Sequence, residues 1–185
     1  NEINRLLIPG TLVRRALKGQ LPIMQAMANL QSELMELTPF DESDEPLAKE
    51  LFMIDRAKKV FLMLAGLGVQ KYQMALEKEQ ELLLGVADIA IEVYAMESAV
   101  LRALKAIRAG RPGLKPEMAR IYCQEAFECI ASIARNPLPA VEEDSDTLRT
   151  QLSVLRRLTR YTPANTIALK RQVAARVLEK GDYVC

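Results

Sequence analysis

Histidine and tryptophan are absent from the 185-residue chain. Without histidine there is no Ser–His–Asp or Cys–His catalysis, no His-ligated zinc and no imidazole acid–base chemistry. Any enzyme here would have to run on carboxylates, Lys, Tyr or a cofactor. Aromatic residues of all kinds make up only 5%, and nowhere do apolar and polar residues alternate as a half-buried strand requires. Long apolar runs are missing too. The longest, Val60 to Val69, is about half of the roughly 18 residues that cross a bilayer. Nor is there an excess of one charge. Lys and Arg total 25 against 24 for Asp and Glu, a net charge of +1, which argues against a nucleic-acid binder and against broad attraction to anionic lipid. Cysteine is sparse: Cys123, Cys129 and the final Cys185. The first two fall on one expected helix about 240° apart around its axis, so they cannot pair with each other there. The three read as reduced thiols of a cytosolic-type protein. The opening, NEINRLL, has neither Met nor a signal peptide's basic-then-apolar layout, and Asn1 reads as a cut or processed end.

What is present favours helices. Ala, Leu, Glu, Lys, Arg and Met dominate, all good helix formers. Half of the residues are hydrophobic, enough for a sizeable core in a chain at the upper end of the single-domain range. Period and punctuation predict a helix over about 2–17, interrupted near Pro9-Gly10, with Thr11 capping its second half. A second runs from Pro22 to about Leu37, and the polar, acidic, proline-bounded segment 38–46 reads as an exposed linker. A third covers about 47–76, with Gly66 and Gly68 as weak points. The strongest covers 79–109, where Leu82, Val86, Ile89, Val93, Met96, Val100 and Leu104 recur at steps of three and four. Ala87, Ala90, Tyr94 and Leu101 widen that stripe, so this helix should be central. GRPGLKP stops it. Further helices are expected over about 116–135, 147–161 and 162–180, the last closed by Gly181. The fold class is therefore all-α: an antiparallel helical bundle of about six to seven helices.

Candidate chemistry is thin. Asp88 and Glu92 share a helix face with Glu81 and Glu97 nearby, but di-iron bundles need Glu-x-x-His as well, so the acids read as a solvated face or as partners of an arginine. No metal site is expected. Gly66-x-Gly68 follows no strand and reads as a helix bend or close helix contact rather than a phosphate loop. Arg156, Arg157, Arg160, Lys170, Arg171 and Arg176 make the C-terminal quarter basic, offset by Glu142 to Asp146. That pattern suits an ordinary charged surface, with an acidic partner or a membrane surface as the alternative. Met24, Met27 and Met35, with Leu21, Ile23, Leu30 and Leu34, form an amphipathic stretch suited to core packing or to a partner.

Two stretches carry a resemblance. Asn1-Glu2-Ile3-Asn4-Arg5 resembles the tail of the acyl-CoA dehydrogenase signature, Glu-Gly-Thr-[Ser/Asn]-[Glu/Asp]-Ile-x-Arg. Glu79-Gln80, Val86-Ala87-Asp88 and Ala90-Ile91-Glu92-Val93-Tyr94-Ala95-Met96 are similar to a helix in the extra C-terminal domain of very-long-chain acyl-CoA dehydrogenases, with Val86 where that pattern has Leu. Cys123 in IYCQEAFECI also resembles a Cys-x-Glu-Ala run of that domain. The resemblance covers essentially the whole chain and implies the following. Residues 1–17 are the remnant of the dehydrogenase core's last helix, 18–46 an amphipathic helix and acidic linker, and 47–185 the C-terminal helical bundle. Asn1 and Glu2 line the site of flavin adenine dinucleotide (FAD) in the intact parent. The catalytic base lies upstream of Asn1, so the chain itself has no catalytic residue, needs no cofactor and is inert alone. The parent performs α,β-dehydrogenation of acyl-CoA in fatty acid β-oxidation. The implied partners are the chain's own dehydrogenase core and a second subunit in a homodimer, in a bacterial cytoplasm. Weak membrane-surface contact through segment 18–49 is also implied, although that segment is acidic here. The other reading of the same helices is a free-standing adaptor or membrane-surface protein with no enzymatic role.

Overall fold

The structure, a computed structural model, describes residues 2–41 and 43–182, without the side chains of Leu17, Met24, Gln31, Met35 and Met74. Asn1, Cys185 and the side chains of Met24 and Met35, singled out above, therefore lie outside the described residues. Eight α-helical segments follow one another: α1 (Glu2–Leu17), α2 (Ile23–Met35), α3 (Ala48–Tyr72), α4 (Gln80–Arg108), α5 (Lys115–Arg135), the single turn α6 (Leu138–Val141), α7 (Ser145–Leu158) and α8 (Thr166–Lys180). No strand occurs among the described residues. The antiparallel all-α bundle expected from the sequence is what forms, with one short turn, α6, that the sequence reading did not separate from its loop.

The three long helices α3, α4 and α5 pack side by side and carry most of the core. The stripe on α4 faces inward as its period requires: Ile89, Met96 and Val100 are fully buried, and Ala87 with them. Phe127 and Ile130 of α5 and Val60 and Leu64 of α3 complete the centre. Leu155 and Leu158 of α7 and Leu138 of α6 close one end. α1 lies along α4, α2 along α3, and α8 against α5. α8 buries no residue at all, so it rides on the surface.

Three local expectations are corrected. The predicted interruption at Pro9-Gly10 does not occur: α1 is one helix with Pro9 inside it. Proline frees one carbonyl and costs an interior helix several kcal/mol, but here Pro9 is buried against the bundle and tertiary packing outweighs the local penalty. The third helix stops at Tyr72 and continues as a 3-10 turn, Gln73–Lys78, where Gln73 takes a left-handed φ of 47°. The last helix begins at Thr166, not at Thr162-Pro163. Asn165 caps it by accepting a hydrogen bond from the amide of Ala168 at 3.0 Å, and so out-competes the upstream Thr-Pro signal.

Gly66 and Gly68 mark close helix contacts and do not break α3. A β-carbon on Gly68 would sit 2.8 Å from Leu82 Cδ2, and one on Gly66 3.0 Å from Met27 Cε. The described residues of the linker are exposed, apart from the half-buried Phe40, and it is tied to the bundle at two points. Phe40 stacks obliquely on Phe52 with ring centres 5.3 Å apart, and the carbonyl of Thr38 accepts from Arg56 Nη2 at 2.6 Å.

Candidate functional site

The acidic face of α4 is divided among separate partners. Asp88 meets Arg5 of α1 in a two-pronged ion pair: Nε donates to Oδ1 at 2.7 Å and Nη2 donates to Oδ2. Such fork geometry fixes orientation as well as charge. Glu92 accepts from the hydroxyl of Tyr122 at 2.7 Å, and Glu97 pairs with Lys58 at 2.7 Å. Glu81 is exposed. No cluster of three or more potential metal ligands is found among the described residues. The arginine-paired acid of the sequence reading is Asp88. Its partner comes from 83 residues upstream, and the two resemblance motifs meet in this pair.

Glu2, expected near a flavin in the parent, is exposed in the first turn of α1, where a carboxylate faces the helix's positive end. Asn1, its companion in that expectation, is outside the described residues.

Two features were not legible in the sequence. The first is an apolar cavity of about 110 Å³ where α1, α2, α3 and α4 meet. Pro9, Ala16, Met27, Ala65, Gly68 and Leu82 are among its walls, and among the described residues no polar one lines it. Small residues converge there from separate helices, and only the glycine pair hinted at it. The second is Arg56, 5% exposed and packed with its guanidinium carbon 4.7 Å over the Phe52 ring. Burial pulls its pKa below the usual arginine value, with Asp55 working against the shift and Arg157 adding to it.

The basic C-terminal quarter is divided as well. Lys170 pairs with Glu125 and Arg176 with Glu179, whereas Arg157 and Arg160 line a pocket. Cys123 is buried and its thiol is pushed up to about 12, by burial first and by the charge of Glu50 second. Cys129 is exposed, and burial of part of its surface with the nearby Glu92 and Asp88 raises it as well. Both thiols are free, as their spacing requires. No helix among the described residues is long and apolar enough to cross a membrane.

These observations define an all-helical packing domain with a mainly apolar interior, in which Glu50 and Arg56 are the buried charged residues among those described. Residues 56–157 match the model of the acyl-CoA dehydrogenase C-terminal domain, and the chain belongs to that family. A probable acyl-CoA dehydrogenase of Bacillus subtilis (strain 168) is 47% identical over 99% of this chain and 31% of its own length. The crystal structure of an acyl-CoA dehydrogenase from Bacillus anthracis, complexed with FAD, superposes with a TM-score of 0.93 at 50% identity, over 97% of this chain and 31% of that one. The chain thus spans about a third of the length of each.

Proposed function

We propose that this chain is the C-terminal packing domain of a FAD-dependent acyl-CoA dehydrogenase that catalyses α,β-dehydrogenation of acyl-CoA in fatty acid β-oxidation. The observation that carries the proposal is the likeness, at 50% identity over nearly the whole chain, to part of an enzyme solved with FAD. On this reading residues 1–17 end the dehydrogenase core, 18–46 form the amphipathic helix and acidic linker, and 47–185 are the appended bundle. Asn1 and Glu2 would then border the flavin, with the catalytic base upstream of them.

The surface supports a missing neighbour. Ile3 and Leu7 lie on one side of α1 and are 79% and 58% exposed, and Tyr94 and Leu101 of α4 are 75% and 55% exposed. Apolar side chains grouped along adjoining helices suit contact with the chain's own core and with the second subunit of a homodimer. Segment 18–49 would supply whatever weak membrane-surface contact the enzyme makes, and the enzyme would work in the cytoplasm.

The test is to purify the intact natural protein, record its flavin absorbance, and follow bleaching of that band by acyl-CoA. A yellow protein bleached by acyl-CoA, with no turnover by residues 1–185 alone, is expected. A colourless intact protein, or turnover by the 185 residues alone, would sink the proposal.

A further inference from the structure

A pocket of about 380 Å³ opens where the linker crosses α3 and the end of α7. Lys49, Arg157 and Arg160 line it, and among the described residues no acidic one does. None of the three has an ion-pair partner among the described residues. Phe40, Phe52 and Tyr161 also line it.

Arg56 adjoins this lining. Its guanidinium rests on Phe52 and donates to the carbonyl of Thr38, both of which line the pocket. Its Nε and Nη1 are buried and meet no acceptor among the described residues. A buried guanidinium with unmade hydrogen bonds is costly, and here Arg157 adds like-charge repulsion. An anion in the pocket would offset this concentration of positive charge. The adjacent groove on the far side of Phe40 shows the contrast. There Asp44, Glu45 and Glu50 line the groove with Arg120 and with Lys49, which the two pockets share.

We propose that this pocket binds a phosphorylated small molecule, its phosphate held by Lys49, Arg157 and Arg160 and its apolar or flat body against Phe40 and Tyr161. A single carboxylate would leave most of the positive charge unmatched, whereas a phosphate monoester carries about −1.5 to −2 and presents three acceptor oxygens. Arginine forks match that geometry. Thr38 and Thr162 add hydroxyl donors at the rim. The volume lies within the range of small-ligand sites. The inference stands apart from the proposed dehydrogenase role, because none of its residues belongs to the flavin-side segment.

Calorimetric titration of the full chain with inorganic pyrophosphate, at fixed ionic strength, tests it. One saturable site is expected, weakened at least tenfold by Arg157→Ala with Arg160→Ala. Arg156→Ala with Arg171→Ala removes the same charge from outside the pocket and should leave binding within twofold of the parent. Both pairs are exposed, and circular dichroism checks that each variant stays helical. Acetate at equal ionic strength should not compete. Flotation with vesicles carrying phosphatidic acid separates the two sources of a phosphate group: pyrophosphate-reversible capture means a lipid headgroup, and no capture means a free phosphorylated solute. Absence of saturable binding, equal weakening by both double variants, or competition by acetate would overturn the proposal.

Discussion

Phe127 shows how much one side chain holds. It is fully buried on α5 and meets Tyr161 edge-on at 5.5 Å between ring centres, so it ties α5 to the segment that follows α7. Truncation there removes buried apolar area and leaves a cavity that long helices cannot close. Phe127→Ala should cost about 3–5 kcal/mol, while Leu178→Ala, at a site 83% exposed, should stay within about 0.5 kcal/mol. Urea unfolding of the two variants checks this, and a loss below about 1.5 kcal/mol for Phe127→Ala would show that the core repacks. At this scale helical period was legible along the centre of the α4 stripe but not at its margin, where Tyr94 and Leu101, read as widening it, are 75% and 55% exposed. The α4 stripe from Leu82 to Val100 is buried as read, Leu104 beside it only partly. It was not legible where a polar residue breaks the pattern. Arg56 lies in the charged run Asp55-Arg56-Ala57-Lys58-Lys59 of α3, yet it is 5% exposed and donates to the linker carbonyl of Thr38.

Helix boundaries divide the elements by the kind of signal that sets them. α7 begins where Asp144 accepts from the amide of Thr147 at 2.9 Å, a local cap placed two residues before the expected start. α1 and the 3-10 turn after α3 differ from expectation for a tertiary reason: packing on α4 carries the chain through Pro9 and bends it at Gln73. The candidate site follows the same division. That an acid on α4 would meet an arginine was readable, but the arginine's identity required knowing that α1 lies along α4. The apolar cavity, a shape shared by four helices, leaves almost no trace in any one of them. α8 is the element least bound to the rest. It buries nothing, and what holds its start is Gln124, which accepts from the amide of Ala164 at 2.7 Å, together with the exposed Lys170–Glu125 pair. Exposed pairs contribute about 1 kcal/mol or less, so α8 should open far more often than the three central helices. Hydrogen exchange should find its amides the first to exchange among the helices after α2, and Gln124→Ala should speed them further without changing α3 to α5. Protection of α8 equal to that of α4 would refute this.

Over the whole molecule, the groups displaced in pKa set where stability responds to pH. With no histidine, no side chain has an ordinary pKa between about 5 and 8, so stability should be flat across neutrality. Above that range several groups act together. The Cys123 thiol is pushed from 9.0 to about 12, chiefly by burial. The Tyr122 hydroxyl goes from 10.0 to about 12, by burial and then by its hydrogen bond to Glu92. Tyr161 is raised too, by burial and by its hydrogen bond to Glu128. Lys59 is lowered by burial but raised on balance by hydrogen bonds to Glu33 and Asp55. Each of these groups holds its proton more tightly when folded. Over roughly pH 9 to 12 the unfolded chain therefore binds fewer protons than the native one, and stability must fall as pH rises. At about 1.4 kcal/mol per tenfold, Cys123 alone accounts for up to roughly 4 kcal/mol by the top of that window. The urea midpoint at constant ionic strength should hold steady from pH 6 to 8 and drop steadily from pH 9 to 11. Tyr122→Phe removes one titrating hydroxyl at a site 37% exposed, and its midpoint should fall less steeply over the alkaline range. A midpoint that stays level to pH 11 would mean that Cys123 and the two tyrosines ionise in the folded state as easily as in the unfolded one, which their burial and carboxylate neighbours oppose.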